Sequence, residues 1–265
     1  MNLLDEIRQE YELCITNSIL YKQKVESISN LLRLKNNDKL IDDCPVYIVG
    51  KYEETPFILF GINPGYSDLN NPQEDKEGKI SWSHYLDLYK NFFLYFEKMK
   101  FESPYYNSLW YLLNGLVLNS QYPFEKKWKL FDLYLTNIEL IPYHSKAISI
   151  PKILSSVQKD YLKERFENSI EFIVKYKPKL FIYNESPWYT ILIQNKLISN
   201  YDRITITNKF NIYFFTIKNI PCILFDKFFQ RHFWGITNEH RNKIIPNLIH
   251  DKHPNLHKKI LDLKK

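Results

Sequence analysis

The sequence predicts an α/β fold in which helices alternate with the strands of a mostly parallel sheet. Three observations carry that prediction. The stretch PFILFGI (56–62) is apolar at nearly every position, as a central strand buried on both faces requires. Further apolar runs, FDLYLTNIELIPYHS, KLFIY and PCILF, recur along the chain with helical stretches among them. Polar residues gather where these strands switch into loops, and in a parallel sheet ligands sit beyond the carboxyl ends of the strands.

Leu3, Leu4, Ile7, Tyr11, Ile15, Val25, Ile28 and Leu32 recur at helical spacing, so the first thirty or so residues read as helix, interrupted near Asn17. PVYIVGKY and PFILFGI follow as two strands joined by Glu53, Glu54 and Thr55, and a polar loop with Asn and Pro runs to about Lys79. Trp82, Tyr85, Leu86, Tyr89, Phe92, Phe93, Phe96 and Met99 then trace one face of an amphipathic helix, where aromatics form core. A helix over Tyr105 to Leu118 precedes FDLYLTNIELIPYHS, read as a buried strand ending in a Pro-containing loop. A long helix from about Ile153 to Tyr176 leads to the strand KLFIY, and another helix begins at Ser186-Pro187, since Pro suits a first helical turn. RITIT, NIYFFTI and PCILFDKF complete the strands, and a last helix covers Asn238 to Ile249.

With 265 residues, 45% of them hydrophobic, the chain can bury a sizeable core. One domain over 1–249, opening with the helical segment, and a polar tail over 250–265 are expected. Thirty-six Lys and Arg against 30 Asp and Glu leave a net charge of +6, which suits an anionic partner such as nucleic acid and equally suits a Lys-rich compositional bias. Three cysteines without C-x-x-C spacing argue against a disulfide framework and a structural zinc, so a reducing cytoplasm is expected. The N-terminal MNLLDEIRQEYEL mixes acids into its apolar positions and is neither a signal peptide nor a membrane span. His250, His253 and His257 have helical spacing, but Pro254 interrupts them in a charged tail, so no metal site is expected. The six Gly are too scattered for a P-loop or dinucleotide fingerprint.

Three strand ends converge on one crevice in such a sheet: Asn63 after PFILF, Asn137 after LYLT and Asp226 after CILF. Asn-Pro and Pro-Gly alone make a plain turn, and Asn137 alone a strand-end residue bonding its own turn. Together the three ends point to a site.

On these residues the chain resembles the uracil-DNA glycosylase superfamily, in the branch of mismatch-specific and single-strand-selective enzymes. Gly61-Ile62-Asn63-Pro64-Gly65 is similar to that branch's first active-site loop, and Thr136-Asn137-Ile138-Glu139-Leu140-Ile141-Pro142 to the strand whose Asn reads an extruded base. Arg231-His232-Phe233-Trp234-Gly235 resembles the segment after the loop that wedges into the duplex. The resemblance implies a three-layer α/β/α sandwich and a monofunctional DNA glycosylase that acts as a monomer without a cofactor. In it Asn63 holds the attacking water, backbone N–H groups around Ile62 and Asn63 face a base carbonyl, and Asn137 reads the base edge. Gly65 replaces the bulky Tyr of strict uracil enzymes, so a base substituted at C5 fits. Tyr66 and Trp82 are the aromatics that stack on it, with a core role the better reading for Trp82. The family's His-Pro-Ser segment is absent and Phe225-Asp226-Lys227-Phe228-Phe229-Gln230 stands in its place. Either Asp226 takes a catalytic role or the leaving base is stabilised differently. Phe228 and Phe229 then serve as the wedge or as buried strand end, with Lys227 and Arg231 on flanking phosphates. His144 and Ser145 read as backbone or phosphate contacts.

Overall fold

Asn17 breaks the N-terminal helical stretch in two: its side chain accepts from the Leu20 N–H at 3.1 Å, capping a second helix as the first ends. Residues 3–35, 39–42, 44–62, 81–100, 104–117, 122–145, 150–184, 186–227 and 236–256 are described by the computed structural model. Its helices are α1 (Leu3–Thr16), α2 (Ser18–Leu31), α3 (Trp82–Lys90), α4 (Phe92–Lys98), α5 (Pro104–Leu116), α6 (Lys127–Tyr134), α7 (Ser156–Ile173), α8 (Ser186–Tyr189) and α9 (Ile245–Lys252). Its strands are β1 (Ile48–Val49), β2 (Phe57–Gly61), β3 (Leu135–Glu139), β4 (Leu180–Tyr183), β5 (Asp202–Thr207), β6 (Phe210–Ile217) and β7 (Ile220–Phe225).

The strands form one seven-stranded sheet in the order β1-β3-β2-β4-β7-β6-β5, so the chain is mixed α/β. The four central strands, β3, β2, β4 and β7, run parallel. Antiparallel pairs close both edges, β1 on β3 and the β5-β6-β7 meander. Lys218 and Asn219 make the two-residue turn between β6 and β7 with φ of 49° and 64°, the left-handed pair that matches the twist of a hairpin.

Three expected elements differ in extent, the first being the single helix expected over Trp82 to Met99, which breaks at Asn91 into α3 and α4. FDLY belongs to α6, which runs into β3 without a loop: Leu135 both caps the helix and opens the strand. A continuous apolar run has no period to separate the two. Of PVYIVGKY only Ile48 and Val49 pair as strand, and Gly50 ends it at φ 102°. A side chain at Gly50 would meet the Leu135 carbonyl at 2.6 Å. The tail is less solvated than expected, since α9 runs to Lys252, His253 packs against Phe214 with ring centroids 6.1 Å apart, and Leu256 is buried.

Along β2 successive side chains alternate between faces. On one face Phe60 stacks on Tyr183 at 4.9 Å, and Phe166 of α7 and Trp188 of α8 pack over both rings. Trp188 Nε1 also donates to the Phe60 carbonyl at 2.7 Å, which ties α8 to the end of β2. The long helix α7 starts on a capping box: Ser155 Oγ accepts from Gln158 N–H while Gln158 Oε1 accepts from Ser155 N–H. It attaches the N-terminal helices through buried Arg165, which pairs with Glu6, donates to the Leu140 carbonyl at 3.4 Å and lies over the Tyr47 ring at 4.9 Å. Glu10 adds Lys24 and Tyr143 to the same junction. Among the described residues no helix is long and apolar enough to cross a membrane.

Candidate functional site at the carboxyl end of the sheet

The connection leaving β2 returns as β3 on one side of it, whereas the next strand in sequence, β4, lies on its other side and β7 beyond. Strand order therefore reverses between β2 and β4, which opens a crevice at the carboxyl ends, the usual ligand position in such sheets. GINPG starts at that point. Asn63 itself, with Gly65 and Tyr66, lies outside the described residues, as do Phe228, Phe229 and Arg231.

Asn137 and Glu139 are two apart on β3 and so share one face of the strand. Asn137 Nδ2 donates to Glu139 Oε1 at 2.6 Å. Both residues are almost fully enclosed, with exposures of 5% and 6%. In the parallel register Leu59 pairs with Asn137 and Gly61 with Glu139. The Glu139 carboxyl consequently lies across the bare backbone of Gly61, where an added Cβ would come within 2.2 Å of Oε2 and 2.6 Å of Cδ. Gly61 is needed less for its turn than for the room it leaves to an acid on the neighbouring strand. Beyond this pair the two strands stay joined, Leu140 N–H to the Gly61 carbonyl at 3.1 Å and Ile141 N–H to the Ile62 carbonyl at 2.8 Å.

The electrostatics of Glu139 are those of a desolvated acid. Burial lifts its carboxyl from the ordinary value near 4.5 to about 7, and the hydrogen bond from Asn137 only partly opposes the rise. Among the described residues no cation enters that balance. The phenol of Tyr106 on α5, raised first by its own burial, also feels the Glu139 charge. Two polar atoms remain without a hydrogen-bond partner, Asn137 Oδ1 and Glu139 Oε2. Each such buried atom costs about 1–3 kcal/mol, which makes this strand end a candidate site.

The remaining expected site residues fall into four groups. Ile62, expected to offer its backbone N–H, has a fully buried side chain, and its carbonyl accepts from the Ile141 N–H. Asp226 ends β7 on the same edge, but Asn211 occupies both of its oxygens, N–H to Oδ1 at 3.1 Å and Nδ2 to Oδ2 at 2.6 Å. Arg203 and Thr205 in turn donate to Asn211 Oδ1, which makes Asp226 one member of a network that closes the β5-β6-β7 edge. Three strand spacings, about 14 Å, separate it from Glu139, so the two are not brought together. Lys227 Nζ donates to the Lys209 carbonyl beside that edge. His144 and Ser145, expected as backbone or phosphate contacts, are buried at 6% and 1% exposure, and the His144 carbonyl accepts from Ile41 N–H. Trp82 stacks on Tyr85 at 5.4 Å and meets Tyr11 at 5.8 Å, which makes it a packing residue.

Sequence reading missed Glu139 as a site residue, although a signal was present. In a strand buried on both faces, Asn137 and Glu139 are polar residues at the two-residue spacing that puts them side by side. It also missed Asn184, which follows β4 immediately, is 1% exposed, and stands level with Gly61 in the register of β2 and β4.

Comparison with protein-family models and with curated proteins finds no match to this chain.

Proposed function

We propose that this protein is a monofunctional DNA glycosylase of the uracil-DNA glycosylase type. It hydrolyses the N-glycosidic bond of a modified pyrimidine and leaves an abasic site. The observation that carries the reading is the enclosed Asn137–Glu139 pair, lying against the first glycine of GINPG beside the crevice where strand order reverses. A parallel sheet centre with helices packed on it supports the three-layer α/β/α arrangement that this reading needs.

The chemistry asks for a positioned water at C1′ of the sugar and for hydrogen bonds that stabilise the base as it departs. Asn63 holds the water through its amide oxygen. The extruded base enters edge first and meets Asn137. Gly65 leaves space beside C5, so a bulky substituent is admitted, and glucosylated 5-hydroxymethylcytosine of phage DNA is the substrate this reading names, with defence as the role. Uracil or 5-hydroxymethyluracil would make it a repair enzyme. The partner is DNA, drawn by the excess of Lys and Arg over Asp and Glu.

Oligonucleotides carrying uracil, 5-hydroxymethyluracil, 5-hydroxymethylcytosine or its glucosylated form, incubated with the protein and then treated with alkali, test the reading. Strand breaks at the modified base that vanish in Asn63→Ala are expected. Binding without breaks on every substrate would instead identify a nucleic-acid-binding protein, and direct cuts requiring a divalent ion a nuclease.

A further inference from the structure

On the basis of that glycosylase reading, we infer that Glu139 is the acid that protonates the departing base, and that with Asn137 it selects a 4-aminopyrimidine, the cytosine class, over uracil. The geometry sets which atoms are available. Asn137 commits one Nδ2 hydrogen to Glu139 Oε1, and its Oδ1, an acceptor without a partner among the described residues, is the atom left for a base's exocyclic N–H. Glu139 is left with Oε2, which donates when the carboxyl is neutral and accepts when it is ionised. The pair thus offers an acceptor beside a switchable donor.

A 4-aminopyrimidine meets this edge with its exocyclic N–H toward Asn137 Oδ1 and its ring N3 accepting from Glu139 Oε2–H. Once the proton has moved to N3, the base carries two donors and the protein two acceptors, so both bonds survive the transfer. Uracil satisfies the pair only before transfer, through N3–H and O4. Its O4 is too weak a base to take the proton, and an ionised Glu139 would face that oxygen's lone pairs. Cytosine also needs the acid more. Its ring lacks the second carbonyl that stabilises the uracil anion, so it leaves poorly without protonation.

The step balances as follows. The C1′–N1 bond breaks with its electron pair moving to N1, while the Oε2 proton goes to N3 and the base departs neutral. Water, held by Asn63, forms the new C1′–O bond and loses a proton, which returns through solvent to the Glu139 carboxylate. Nothing further is consumed. Glu139 thereby fills the place of the leaving-group stabiliser that the missing His-Pro-Ser segment would have supplied, and Asp226, held by Asn211, is not required for it.

Among the described residues the titratable group coupled to Glu139 is Tyr106 on α5, whose phenol burial keeps neutral over the working range. A single proton on Glu139 therefore governs the profile. Single-turnover excision of glucosylated 5-hydroxymethylcytosine by the full chain is expected to be level at acid pH and to fall about tenfold per pH unit above about 7. Glu139→Gln keeps a donor at the same place, through its amide, but has no proton to give. It should lose about 10²–10⁴ in rate and lose the pH break, while still binding a duplex with an uncleavable 2′-fluoro-5-hydroxymethylcytidine as wild type does. Glu139→Leu should lose the rate and also the binding preference for that duplex over its 2′-fluorouridine counterpart. If Asn63→Ala abolishes excision while Glu139→Gln retains both rate and pH break, the glycosylase reading stands and the inference falls. If wild type excises no base at all, the reading and the acid role fall together. Equal binding of the two fluorinated duplexes by wild type overturns the base selection whatever the turnover.

Discussion

Replacing Glu139 by Gln should change how stability depends on pH. In the folded protein the carboxyl holds its proton up to about 7, against about 4.5 ordinarily, because burial disfavours the anion. A raised acid contributes stability that is fully present below the lower value and is lost as pH rises through the higher one, since across that interval the folded chain keeps a proton the unfolded chain has released. At 1.36 kcal/mol per pH unit the whole effect is about 3 kcal/mol. Gln has the same shape, can accept from Asn137 Nδ2 and does not titrate, so the variant lacks this term. Urea unfolding of both proteins at several pH values reads it directly. The variant's stability relative to wild type should rise by about 3 kcal/mol between about pH 4 and about pH 8, equivalent to several degrees in Tm for a domain of this size. Parallel stability curves across that range would show that Glu139 is not a protonated buried acid, and would remove the premise of its role as proton donor.

Two further substitutions test the packing that builds the site. Gly61→Ala pushes a methyl into the Glu139 carboxyl, so excision should fall at least tenfold with a stability loss of about 1 kcal/mol, and most of that loss should disappear when Glu139→Ala is added, measured as a double-mutant cycle. Gly115→Ala should cost more, about 1–3 kcal/mol by thermal or urea unfolding, because its Cβ would lie 2.3 Å from the backbone carbonyl of Asn242 and 2.6 Å from Pro246, where α5 crosses the segment leading into α9 and no flexible side chain can yield.

Much of the element list was legible because period and punctuation were clear. Helices α1, α2, α5 and α7 follow apolar spacing, and Asn17 and Ser155 announce caps in the residue types that accept from a helix's first N–H groups. The α6–β3 junction was not legible, since Leu130, Phe131 and Leu135 are fully buried whichever backbone they adopt and their burial carries no period. His144 and Ser145 show the converse limit, since nothing in their polar side chains announces that both are buried.

Local chemistry in the chain determined that PFILF and the LTNIE stretch would be buried strands, with Asn137 and Glu139 as polar residues on the second. Only the tertiary structure decided which strand lies beside which. Register is a long-range property, set by the packing of the whole sheet, and nothing local to residue 61 or residue 139 encodes that they pair. That pairing is what lays the Glu139 carboxyl over a backbone without a side chain, encloses it, raises its affinity for a proton and leaves one of its oxygens without a hydrogen-bond partner among the described residues.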